Sequence, residues 1–133
     1  MSEQAVIHGA EPNLSGEICK ALICEGYVFQ GELVSEAIKV FLQVDTVWHC
    51  FLIDAGVVFW RTQEETPRPW AVPEEQWDYP HRNVGAEFGL NGHRILSTAT
   101  KRSGARVTIE LLFDSGARFR LEDENDSTSF SVT

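Results

Sequence analysis

From Leu33 onward, apolar and polar positions alternate with the period of a β-strand. Ile38, Val40, Leu42 and Val44 alternate with Lys39, Gln43 and Asp45, and Phe41 interrupts the polar set. Asp45-Thr46 turns the chain. Val47, His49, Phe51 and Ile53 then alternate with Trp48, Cys50 and Leu52, so this strand is largely apolar on both faces and is expected to be central in its sheet. Asp54-Ala55-Gly56 is a tight-turn signal, because glycine accepts the left-handed backbone such turns need. Val57 to Thr62 is the next strand. Strands are expected to resume near Val84 and to run over residues 93–100, 106–113, 117–122 and 128–132. Asn91-Gly92 reads as a hairpin signal, and Lys101-Arg102-Ser103-Gly104 and Asp114-Ser115-Gly116 as turns.

Ahead of Leu33 the spacing is helical. Ser15 stands as an N-cap, Ile18, Leu22 and Ile23 form one stripe, and Gly26 is a stop, which predicts one short N-terminal helix over about 15–25. The first dozen residues read as a loose arm or an edge strand.

Residues 64–83 break the alternation. Pro67, Pro69, Pro73 and Pro80 oppose a regular helix or a central strand. Between and around them stand Trp70, Trp77 and Tyr79 with Glu64, Glu65, Glu74, Glu75 and Asp78. An irregular connection of this length is often functional.

The segment Phe51-Leu52-Ile53-Asp54-Ala55-Gly56-Val57-Val58-Phe59 aligns with Leu111-Leu112-Phe113-Asp114-Ser115-Gly116-Ala117-Arg118-Phe119, with Leu52/Leu112, Asp54/Asp114, Gly56/Gly116 and Phe59/Phe119 identical. This reads either as a duplication of a β-meander, over about 27–63 and 88–122, or as two strand–turn–strand units that are alike because all such units are. The expectation is a single domain, 1–133, mainly β (α+β at most). It is an antiparallel sandwich or partly open barrel of about seven or more short strands.

Composition narrows the function. The chain has 133 residues, 11 Lys plus Arg and 20 Asp plus Glu, for a net charge of −9. A chain of this length buries enough surface to need no disulfide or metal. Its acidity opposes direct nucleic-acid binding, which depends on clustered Lys and Arg. Cys19, Cys24 and Cys50 are odd in number, and the first two would lie about 140° apart on a helix, a poor redox or zinc pair. They read as buried thiols of a reducing cytoplasm. The start, Met1-Ser2-Glu3-Gln4, has no signal-peptide character, and the most apolar stretch, Val47 to Trp60, is broken by His49 and Asp54 and too short to span a bilayer.

The candidate chemistry is sparse. His8, His49, His81 and His93 show no metal spacing, and no metal or cofactor is expected. His49 and Cys50 are adjacent on a strand, so they point to opposite faces and cannot ligate together. His81 is the one candidate general base, held by Asp78, or else a loop residue that contacts a partner. Asp54 and Asp114 occupy matching turns, which the glycine two residues on explains better than acid–base work. No nucleophile elbow, P-loop or dinucleotide motif is present, and the chain reads as a non-enzyme.

Charge is more informative. Residues 1–66 carry three basic and ten acidic side chains, and residues 67–133 eight and ten. An acidic surface either maintains solubility or complements a basic partner. The 64–83 segment combines aromatic anchors with carboxylates, the composition of an interface. Its candidate partner-binding residues are Glu64, Glu65, Trp70, Glu74, Glu75, Trp77, Asp78 and Tyr79. The alternative is that Trp70 and Trp77 fold back over one end of the sheet.

A small acidic β-protein with the acidic first half, the Trp70–Tyr79 loop and the Asp54-x-Gly56 and Asp114-x-Gly116 hairpins resembles the immunity proteins of bacterial polymorphic toxin systems, including contact-dependent growth inhibition. The resemblance is one of type and not of motif. It implies an acidic inhibitor that binds one cognate toxin, expected to be basic, and blocks its active site, without a membrane or nucleic-acid partner. Two other readings stand beside it. One is a small-ligand-binding barrel or unfamiliar enzyme, its pocket lined by Trp48, Phe59 and Trp60 with His49 or His81. The other is a structural homo-oligomer joined through strand edges.

Overall fold

The computed structural model describes residues 4–133; the first three residues, which carry part of the reading of the chain's start, lie outside them. Twelve strands are described: β1 (Val6–His8), β2 (Ala21–Phe29), β3 (Glu32–Val44), β4 (Val47–Asp54), β5 (Val57–Gln63), β6 (Trp70–Val72), β7 (Trp77–Tyr79), β8 (His81–Arg82), β9 (Ile95–Ser103), β10 (Arg106–Phe113), β11 (Arg118–Glu124) and β12 (Ser127–Val132). A single turn of helix, α1 (Val84–Glu87), and a 3-10 turn at Pro73–Glu75 complete the set. No helix among the described residues is long and apolar enough to cross a membrane.

The strands form two sheets. The larger runs β1-β5-β4-β3-β2-β7-β6, with β8 also paired to β2; the smaller runs β12-β11-β10-β9. All pairs are antiparallel except β1 with β5. The sheets pack as an open sandwich. Leu22, Cys24, Val40, Leu42, Phe51, Ile53, Val58 and Trp60 of the larger sheet meet Ile95, Val107, Ile109, Leu111, Phe113, Phe119 and Leu121 of the smaller in one core. Phe51 is at its centre, 4.7 Å from the Trp60 ring and 6.5 Å edge-on from Phe119. Burying side chains of this size stabilises by roughly 1.5–3 kcal/mol each.

β4 lies between β3 and β5 and is buried on both sides, as its apolar pattern predicts. Phe51 and Ile53 face the core, while Trp48 and Cys50 join Phe41 in a second cluster on the outer face. The outer face of the smaller sheet is instead polar: Glu110, Arg118 and Arg120 alternate with buried Ile109, Leu111, Phe119 and Leu121.

The predicted helix over 15–25 is a correction. Residues 21–29 form strand β2, with Leu22 and Cys24 in the core and Ala21 and Ile23 against the outer cluster. Pairing with β3 decides it, because Leu22↔Leu42 and Cys24↔Val40 align two apolar strands. Ser15 caps nothing helical, and its hydroxyl donates to the Leu96 carbonyl at 3.2 Å. Gly26 is no stop either. It lies inside β2 at a bulge, where an added Cβ would meet the Ser35 carbonyl oxygen at 3.0 Å. The strand expected near Val84 is α1, capped by Asn83, whose side chain accepts from Ala86 N–H at 3.3 Å. Asn91-Gly92 joins α1 to β9 rather than closing a hairpin.

The segment 64–83 is more regular than its prolines predict. β6 and β7 form a short hairpin around Pro73–Glu75, and β7 and β8 together add an interrupted strand to the edge of β2. Pro80 is the interruption. It has no N–H, yet its carbonyl accepts from Gly26 N–H at 2.9 Å.

Candidate partner-binding surface

β2, β7 and β6 are consecutive at one edge of the larger sheet, and the side-chain period of two puts Tyr27, Phe29, Trp77, Tyr79, Trp70 and Val72 on one face. They form two rows. Trp70 stacks on Tyr79 with ring centroids 4.0 Å apart and planes at 12°, and Tyr79 stacks on Tyr27 at 5.3 Å and 20°. In the next row Phe29 stands opposite Trp77, and Trp77 opposite Val72. Burial, with Tyr27 and Glu25 nearby, pushes the Tyr79 hydroxyl above its ordinary range.

These rings do not close over the core. Trp70 is 47% exposed, Trp77 37% and Phe29 39%, and Leu33 and Val34 on the neighbouring end of β3 are 63% and 60% exposed. Val28 pairs with Leu33 and Phe29 with Glu32, so at the tip of the β2–β3 hairpin Phe29 shares the face of the aromatic rows while Leu33 and Val28 lie on the other face. Sequence reasoning found Trp70, Trp77 and Tyr79 but missed Tyr27, Phe29, Leu33 and Val34. Their signal is the Gln30-Gly31 turn, with φ of 52° and 80°, flanked by apolar residues on both faces of both strands.

Glu64, Glu65, Glu74, Glu75 and Asp78 are all exposed, and so is Glu32. None of the six makes an ion pair among the described residues. Some of the acidic charge elsewhere is matched internally, although Glu17, Asp45, Asp54 and Asp126 also make no ion pair among the described residues. Glu110 receives Arg118 at 3.0 Å and Arg120 at 2.9 Å, which hold its carboxyl below the usual range, and Arg106 lies 3.3 Å from Glu124. Glu74, Glu75 and Asp78 lie on the hairpin that carries Trp70 and Trp77, and Glu64 and Glu65 on the segment that precedes it.

The histidines have other roles. His81 is not held by Asp78, which is exposed. Pairing of β8 with β2 sets His81 beside Glu25, and its Nε2 lies 2.9 Å from Glu25 Oε1. Lys39, on the other side of Glu25, approaches Oε2 at 3.9 Å. Glu25 and His81 side chains are 3% and 10% exposed, so this row fastens β8 to the sheet. His49 faces the interior, where burial lowers its pKa, and Cys50 faces the other way. His93 Nδ1 lies 2.8 Å from Asp114 Oδ1, and this bond holds Asp114 below the usual carboxylate range. His8 stacks on Phe59 at 5.3 Å. No group of three or more His, Cys, Asp or Glu among the described residues is arranged to hold a metal.

The pocket expected between Trp48, Phe59 and Trp60 does not form as drawn. Trp48 packs with the outer cluster and Trp60 with the core, on opposite faces, because they occupy positions of opposite parity in paired strands. What remains near Phe59 is an open depression of about 270 Å³ over Cys50, Leu52 and Arg61. No protein family model, curated protein or solved structure matches this chain.

Proposed function

We propose that the protein is a cytoplasmic, non-catalytic binding module that docks a basic protein through its aromatic end, in the manner of an immunity protein bound to a toxin. One observation carries this reading. Trp70, Trp77 and Phe29 are exposed on one face of the sheet edge, on or next to a hairpin whose carboxylates Glu74, Glu75 and Asp78 the fold leaves unpaired. Interfaces place aromatic anchors at the centre and charge at the rim, and an acidic rim speeds encounter with a cationic partner. Glu64, Glu65, Glu74, Glu75 and Asp78 supply that rim, and Trp70, Trp77 and Tyr79 the anchors.

The test is capture of the tagged protein from its native cell with a wash at about 0.5 M salt, where the Debye length is only a few ångström. The partner is then titrated with the wild type, Trp70→Ala and Trp77→Ala. One stoichiometric basic protein, weakened by about 2 kcal/mol or more on loss of an anchor, supports the reading. Unchanged affinity in both folded variants overturns the assignment of this surface.

A further inference from the structure

We propose that the open face of Trp70 seats an arginine side chain of the partner; this rests on the docking reading above and names what that surface grips. The stack Tyr27–Tyr79–Trp70 runs across three strands, and β6 is the last of them. One face of the Trp70 ring is covered by Tyr79, 4.0 Å away, and the side chain stays 47% exposed. The uncovered ring face therefore looks out from the sheet edge. A planar guanidinium continues a ring stack, is weakly hydrated and donates in a fork to carboxylates, which an ammonium does not match.

The molecule already builds such a seat for one of its own residues. The Arg82 guanidinium lies 5.6 Å from the Phe88 ring centroid and 5.3 Å from that of Phe130, while its fork donates to Glu87 at 2.8 and 2.6 Å. At β6 an exposed ring stands among carboxylates close to it in the chain, with no cation on the ring among the described residues. The ring is Trp70, Glu64 and Glu65 lie on the segment that leads to it, and Glu74 and Glu75 on the turn that follows. Arg68, two residues before Trp70, is exposed, and the ring contacts of cations among the described residues are those of Arg82.

The experiment follows the four indole N–H resonances of the protein by NMR while N-acetyl-arginine methylamide is added, with the citrulline and lysine counterparts as comparisons. Trp70→Phe identifies the Trp70 resonance. That resonance is expected to move saturably, with the arginine probe binding about two- to fivefold tighter than the neutral citrulline probe, as an exposed cation–ring contact supplies. No saturable shift at Trp70, or an equal response to citrulline, overturns the seat. The docking reading fails separately. If arginine seats on Trp70 but Glu74→Lys with Glu75→Lys leaves the affinity of the captured basic protein unchanged, the rim assignment is wrong and the seat stands. If those reversals weaken the partner and arginine leaves Trp70 unmoved, the seat is wrong and the docking surface stands.

Discussion

Glu25 and His81 are 56 residues apart in the chain and directly opposite in the sheet, with 2.9 Å between carboxylate and imidazole. The pair is nearly water-free, so the two partners are worth more together than apart. His81→Ala leaves a buried carboxylate with only Lys39 at 3.9 Å, and is expected to cost about 3 kcal/mol in urea denaturation. Adding Glu25→Leu is expected to recover most of that loss, because it removes the stranded charge. A double variant as unstable as the sum of both singles refutes this account.

Asp123 sets a pH dependence. It faces inward from β11 and is 3% exposed, accepting from the Thr128 hydroxyl at 2.9 Å. Burial raises its pKa, the Thr128 bond opposes this, and the Asp126 and Asp54 charges push it further up. A carboxyl with a raised folded pKa binds its proton more tightly in the native state. Its contribution is present below the ordinary aspartate range and is lost as pH rises through the raised value. Asp123→Asn is therefore expected to raise the thermal midpoint at pH 7, with the gain shrinking as pH falls toward 4. A gain that is constant across this window rules the explanation out.

On the proposed docking reading, the rim carboxylates act on approach. Glu74→Lys with Glu75→Lys is expected to slow association with a basic partner by about tenfold at low salt and to change dissociation little, since rim charges govern encounter. Both side chains are exposed and unpaired, so the denaturation midpoint should hold. Stopped-flow rates at two ionic strengths decide it, and an effect on dissociation alone argues against a rim role.

The thiols are expected to be inert in the native state. Cys19, Cys24 and Cys50 are buried and unpaired by disulfides. Burial pushes the Cys19 thiol up to about 12 and raises Cys24 and Cys50 as well. Thiolate is the reactive form. Alkylation with iodoacetamide at pH 8, followed by intact mass, should therefore wait on unfolding. Rapid modification of folded protein contradicts the burial.

The strands β3, β4, β5 and β9 to β12 were legible because each has one face in the shared core, which imposes the period of two. β2 was not. Ile18, Leu22 and Ile23 fit a helix as well as a strand, and only the β3 partner, distant in sequence, decides between them. By composition the prolines of 64–83 are barriers to regular structure, whereas Pro69, Pro73 and Pro80 separate very short strands at an edge, where proline is tolerated. The aligned pair Phe59 and Phe119 shows the limit of pattern matching. Two residues lie between the paired Asp54 and Val57 but three between the hydrogen-bonded Phe113 and Ala117, so the second partner strand slips by one. Phe119 turns into the core, while Phe59 faces out beside His8. Of the candidate surface, the tryptophans and carboxylates were visible by composition. Glu25 and Phe29 were hidden, one inside the expected helix and the other just beyond it.

The strand order also dictates when this surface comes into being. The β3–β4–β5 meander joins neighbours in sequence and closes only short loops, as does β6–β7. The aromatic rows need β7 to reach back to β2, closing a loop that spans the whole meander, and long loops form late. A growing chain cannot present the Tyr27–Tyr79–Trp70 stack until residue 79 has been made and returned to the sheet. On the proposed docking reading, recognition is thereby confined to chains folded past residue 79, and a partner that binds there draws this late-formed edge into the stability of the whole.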